Sequence, residues 1–140
     1  VRKSTIPLVL LFLCFALSAF GDPVLTGIDR VLCDGLEARG YTITECAHYT
    51  DFLLESVEMT IRRNNDRYAI VVYPGSSRSS DILFPDQVEQ DLEGVYEALS
   101  STLEQSGYRI NRHGMTVDNR LGIQFEKGGV IYDLTVTGRR

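Results

Sequence analysis

The 140-residue chain carries 14 basic and 19 acidic residues, for a formal charge of −5. That balance argues against binding nucleic acid or an anionic membrane, both of which need basic surface. The length suits one domain with one core.

Arg2 and Lys3 precede an almost wholly apolar run, Ile6 to Phe20. Ala19 and Gly21 place small residues at the minus-three and minus-one positions ahead of Asp22. This is the layout of a secretory signal peptide, so residues 1–21 are expected to be removed and the protein exported, to a periplasmic or extracellular location. A membrane anchor is the competing reading. The run is short for a span, however, and no basic stop-transfer cluster follows it. Cys14 follows the bulky Phe12 and Leu13, not the small residues that a lipid-attachment site needs. Cleavage removes two basic residues and no acid, so residues 22–140 keep 12 basic against 19 acidic residues, a charge of −7. These residues read as a single α+β domain with no integral membrane span.

Asp22-Pro23 offers a carboxylate cap followed by proline, a favourable helix opening. Val24, Leu25, Ile28, Val31, Leu32 and Leu36 follow at helical spacing, and Gly40 ends the run. Tyr41 to Ala47 reads as the first strand. From about Leu54 a second strand is expected, with Val57, Met59 and Ile61 alternating against Glu58, Thr60 and Arg62. Arg63 to Asp66 is polar turn chemistry, and Arg67 to Tyr73 returns as a central strand. Residues 74–81 are small and polar and read as a loop, with 76–81 as a linker and Ile82, Leu83 and Phe84 tying its far end to the core. Asp86-Gln87-Val88-Glu89 has the form of a capping box opening a second helix, with Val88, Leu92, Val95, Tyr96, Leu99 and Leu103 as its apolar stripe. Gly107 ends it. Tyr108 to Arg112 reads as a strand and His113-Gly114 as a turn. Leu121 to Phe125 and Val130 to Val136 read as a hairpin around Lys127-Gly128-Gly129.

Two stretches share one frame. Leu36-Glu37-x-x-Gly40-Tyr41-x-Ile43 recurs as Leu103-Glu104-x-x-Gly107-Tyr108-x-Ile110, at a constant offset of 67. In each, a helix stops at a glycine in the left-handed conformation and a strand starts at once on tyrosine. The expected fold is therefore an α+β two-layer sandwich. Tandem α-β-β-β units, 22–75 and 82–138, would build an antiparallel sheet covered on one face by two helices. This element order resembles the architecture of the bacterial β-lactamase inhibitor proteins; no motif carries the likeness further.

After export, two cysteines remain, and in an oxidising compartment Cys33 and Cys46 read as one disulfide. Helical and strand periodicity place them on different faces. A bond at the margin of the layer, or a bulge before Cys46, reconciles this; free thiols or pairing between chains are the alternatives. His48 and His113 each follow the first strand of their unit. With Asp51 and Asp118 nearby they suggest a weak metal or acid–base site, but exposed loop histidines are the favoured reading. Zinc-spaced and phosphate-loop motifs are absent, so no cofactor, metal or catalytic group is assigned. Among carboxylates, Glu45 and Asp133 are the better general-acid candidates because both lie within strands. Alternation puts Thr60, Arg62, Ala69, Val71, Tyr73, Ile131, Asp133 and Thr135 on the uncovered face, a mix more apolar than a wet face needs. With Arg78 from the loop, this face is the expected contact for a protein or peptide partner, through Arg62, Tyr73, Arg78, Ile131 and Asp133. A second copy of the chain is another way to cover it. A small-ligand pocket between helices and sheet is the alternative use of the fold.

Overall fold

The computed structural model describes residues 24–50, 54–75 and 81–139. Asp22-Pro23, Asp51, Arg78 and the apolar N-terminal run lie outside them. In chain order the elements are helix α1 (Ile28–Ala38), strands β1 (Thr42–Thr50), β2 (Glu55–Arg63), β3 (Asp66–Pro74) and β4 (Ile82–Pro85), a single 3₁₀ turn (Gln90–Leu92), helix α2 (Glu93–Gln105), and strands β5 (Arg109–Thr116), β6 (Leu121–Lys127) and β7 (Val130–Arg139). All seven strands form one antiparallel sheet in the order β1-β2-β3-β7-β6-β5-β4.

The shared frame around Gly40 and Gly107 is a Schellman cap, made twice. Gly40 and Gly107 take φ of 92° and 88°. Their N–H groups donate to Glu37 O and Glu104 O, each at 3.1 Å. The N–H of Tyr41 donates to Leu36 O at 3.0 Å, and that of Tyr108 to Leu103 O at 2.9 Å. The leucine buries, the glycine turns the chain, and the tyrosine N–H closes the cap on the leucine carbonyl. Both leucines are fully buried.

One contiguous core follows from the strand alternation. Val57, Met59 and Ile61 of β2, Tyr68, Ile70 and Val72 of β3, Leu121, Ile123 and Phe125 of β6, and Tyr132, Leu134 and Val136 of β7 are buried together. Leu32 and Leu36 of α1 and Leu99 and Leu103 of α2 belong to the same cluster. The helices meet closely: a Cβ on Gly35 of α1 would fall 2.1 Å from Thr102 Cγ2 of α2. Thr102 is buried, and its hydroxyl has no hydrogen-bond partner among the described residues. Two hairpins need left-handed residues. Arg63 pairs with Asp66 around Asn64 at φ 57°, and Lys127 pairs with Val130 around Gly128 and Gly129 at φ 61° and 82°. In the second, two positive-φ residues between antiparallel strands match the strand twist; the first uses one.

Several expectations are corrected. The first helix starts at Ile28, not at Asp22-Pro23, because Gly27 at φ 87° ends a turn formed by residues 24–27. Leu25 is still buried, whereas Val24 is exposed. Residues 82–84 are not tied into the core: they form β4, the strand at the far edge, with Leu83 and Phe84 exposed. The capping box is not used. Asp86 sits at φ 62°, and its N–H donates to His113 O at 2.9 Å, closing β4 against β5. The second helix therefore begins at Glu93, without a side-chain cap. The chain does not turn at His113-Gly114; β5 runs straight through. A Cβ on Gly114 would meet Phe84 O at 2.3 Å, so glycine is what lets β4 approach. The turn comes later, where Thr116 N–H donates to Arg120 O at 2.8 Å.

Candidate functional site

The outer face of the sheet, away from the core, divides into two ends. Tyr73 on β3 lies opposite Asp133 on β7, which lies opposite Gln124 on β6. Gln124 is buried and its Nε2 donates to Asp133 Oδ1 at 3.3 Å. Next along the strands, Gly75 N–H donates to Ile131 O at 2.8 Å. A Cβ on Gly75 would stand 2.9 Å from Ile131 Cγ2 and 3.0 Å from Asp133 Oδ2, so the chain leaving β3 lies directly over both side chains. Tyr73, Ile131 and Asp133 are thus brought together, with Tyr73 the most exposed of the three at 43%. Arg62 is not with them. It pairs with Arg67, six residues before Tyr73 on β3, which puts it about 20 Å away along the strands. Arg78 lies outside the described residues.

Beside this group is a cavity of about 370 Å³ whose rim includes Tyr73, Asp81, Arg120, Asp133 and Thr135. One wall is Ile82, which fills a notch left by two facing glycines: a Cβ on Gly122 would lie 2.9 Å from Ile82 Cγ1, and one on Gly114 2.7 Å from Ile82 Cγ2.

The histidines neither share a rim nor sit in exposed loops: both lie within strands and are partly buried. His48 is on β1 and His113 on β5, five strand positions apart, or roughly 24 Å across the sheet. His113 stacks on Tyr96 of α2 with ring centroids 4.4 Å apart, and its Nδ1 lies 3.1 Å from the tyrosine hydroxyl. Asp86 Oδ1 lies 4.0 Å from the same nitrogen. Asp118, suggested as a partner for these histidines, accepts instead from the Thr116 hydroxyl at 2.7 Å. That bond is the main reason its carboxyl is held below the usual carboxylate range.

His48 belongs to an arrangement that the alternation pattern contained but that was not singled out. Its Nε2 lies 2.6 Å from Glu55 Oε2, and the same carboxylate accepts from Val24 N–H at 2.7 Å and Leu25 N–H at 3.1 Å. The Glu55 side chain is only 12% exposed. Glu55 has the strand parity of Val57, Met59 and Ile61, and a carboxylate on the apolar side of a strand is the signal that marks it. Its bonds hold the chain entering α1 against the start of β2.

Cys33 and Cys46 are brought together as two thiols, sulfurs 3.8 Å apart, at the margin where α1 meets the edge strand. The bulge that their pairing needs is present: β1 slips register between Ile43 and Glu45, so Cys46 faces the same side as Ile43. Burial, then the neighbouring Cys46, pushes the Cys33 thiol up to about 12. Burial also raises the phenols of Tyr68, Tyr96, Tyr108 and Tyr132 above the usual tyrosine range. Among the described residues, no group of three or more His, Cys, Asp or Glu side chains is placed to hold a metal ion. No helix among them is long and apolar enough to cross a membrane.

No family model, curated protein or solved structure matches the chain. The comparisons thus lend no support to the likeness to the β-lactamase inhibitor proteins.

Proposed function

We propose that the chain is an exported, non-enzymatic protein-binding module, inhibitor-like or an accessory of the cell envelope, that holds a protein or peptide partner on the outer face of its sheet. The observation that carries this reading is the Tyr73–Asp133–Gln124 row with Ile131 and Gly75 beside it. An exposed aromatic stands next to a carboxylate already fixed by a buried amide. Rigid aromatic anchors beside satisfied polar groups are the usual centre of a binding patch. The test is capture of envelope proteins by the immobilised chain, compared with Tyr73→Ala. Loss of a specific captured protein with the variant is expected; undiminished capture counts against this face.

The same reading takes the chain as two copies of an α-β-β-β unit laid out as a two-layer sandwich, with the first 21 residues as a removed signal peptide and Cys33–Cys46 as a disulfide. Matched irregularities support the duplication. The bulges of β1 and β5 fall at Thr44 and Asn111, 67 residues apart, the same offset as the two glycine caps. The alternative use, as a small-ligand carrier, needs a pocket between helices and sheet; the cavity of about 370 Å³ lies instead on the outer face. The space beneath the helices is filled by Phe125, Leu99 and Leu103. Native mass spectrometry of the purified protein would reveal a retained small molecule.

A further inference from the structure

The two edges of the sheet are built differently. β4 closes one edge in four residues, slips register between Ile82 and Phe84, and ends on Pro85. Shortness, a bulge and a proline are the usual means of keeping another strand from pairing. The opposite edge is β1, nine residues long, with its bulge at the start and an unbroken register from Glu45 to Thr50. Among the described residues, nothing pairs with its free side. A row of backbone donors and acceptors is thus left open to an added strand.

The outer face beside that edge has a defined chemistry. Glu45 lies opposite Thr60, Ala47 opposite Glu58, and Tyr49 opposite Ser56. Together with Ala69 and Val71, the side chains of Glu45, Ala47, Tyr49 and Glu58 border a trough of about 500 Å³. Neither carboxylate makes an ion pair among the described residues. Tyr49 is 53% exposed. Ala47 presents only a methyl group between the edge and Glu58. A strand added to β1 would lie two spacings from Glu58, about 10 Å, which a long basic side chain and a glutamate span together. The tyrosine beside that path offers its ring face to a cation.

We propose that the free side of β1 takes an extended segment of a partner polypeptide as an added strand, with a lysine or arginine opposite Ala47 reaching Glu58 and a second basic residue opposite Glu45. The remaining charge of −7 favours the approach of such a segment. The proposal does not rest on the Tyr73–Asp133 row: that row's Tyr73→Ala test and the edge test below succeed or fail separately.

The probe is a fluorescein-labelled heptapeptide, Thr-Val-Lys-Val-Arg-Val-Thr, whose two basic residues share one face when extended. Its binding to the purified protein is read by anisotropy. Saturable binding that weakens with added salt is expected, and the same peptide with glutamate in both basic positions should bind less. Glu45→Gln and Glu58→Gln should each weaken binding by roughly two- to fivefold, the range of exposed ion pairs. Two further peptides carry backbone N-methyl groups at the odd or at the even residues. Only alternate N–H groups of an added strand face its neighbour, so one methylated peptide should lose binding and the other keep it. Absence of saturable binding would overturn the proposal. So would equal binding of the acidic peptide, equal behaviour of the two methylated peptides, or indifference to both glutamine substitutions. Self-association of the protein that the peptide cannot displace would assign the edge to a second copy of the chain and equally overturn it.

Discussion

Oxidation of Cys33 and Cys46 to a disulfide should raise the stability of this domain by an amount the structure lets one work out. The sulfurs stand 3.8 Å apart and the residues are 13 positions apart in the chain. Closing a loop of that size removes about 3 kcal/mol of unfolded-state entropy in the chain-entropy model. For residues 22–140, 119 in all, the entropy of unfolding is about 0.25 kcal/mol/K, so Tm should rise by roughly 12 °C. The half-buried Cys33 thiol is held protonated, its value pushed up to about 12, while Cys46 is exposed. Exchange with oxidised glutathione should therefore begin at Cys46 and be completed by Cys33, releasing two molecules of reduced glutathione and leaving the protein two hydrogens lighter. Thermal melts of the oxidised and reduced protein, with intact mass on each, provide the assay, and Cys33→Ser should melt with the reduced form. Two free thiols after equilibration with oxidised glutathione, or a bonded form that melts no higher than the reduced one, would refute the reasoning.

Glu55→Ala leaves Val24 N–H, Leu25 N–H and His48 without their shared acceptor. Urea unfolding should show a loss on the order of 2–4 kcal/mol, since bonds to a largely buried charge carry about 1.5–3 kcal/mol each and are not additive; a change under about 0.5 kcal/mol would contradict the tethering role. Gly40→Ala and Gly107→Ala force a side chain into the left-handed region without a close clash at either site. Each should cost about 1–2 kcal/mol, and unequal values would show that the two caps are not energetically alike. The raised tyrosine phenols predict an alkaline limit. An acid group with a raised folded pKa contributes stability that is fully present below its unfolded value of about 10 and lost as pH rises through the folded value. Melting temperature should fall above about pH 10, together with the appearance of phenolate absorbance; phenolate forming without loss of stability would contradict it.

What was legible in the sequence was local. The frame Leu-Glu-x-x-Gly-Tyr encodes a cap whose bonds all lie within six residues, so reading it required no knowledge of the rest of the chain. Hairpin turns at Asn64-Asn65 and Gly128-Gly129 and the alternation of β2, β3, β6 and β7 were readable for the same reason. The misreadings arose where a distant contact decides. Asp86 looks like a cap until its N–H is committed to His113 O, and Gly114 looks like a turn until Phe84 O arrives against it. Bulges at Thr44 and Asn111 leave no trace in composition, although the misfit between Cys33 and Cys46 pointed to the first. For the outer face, parity correctly grouped Tyr73, Ile131 and Asp133. Placing Arg62 with them failed because alternation gives the face of a residue and not its position along the strand. Glu55 could have been found by extending the parity of Val57 back by one step.

The seam of the sheet has a consequence for how the protein is made. β3 and β7 pair at its centre, and β7 follows every other strand in chain order. Until β7 is available, the first three strands and the next three have no ladder between them. Completion of the sheet thus waits for the strand made last of the seven, so its two halves stay unjoined while all the others are being made.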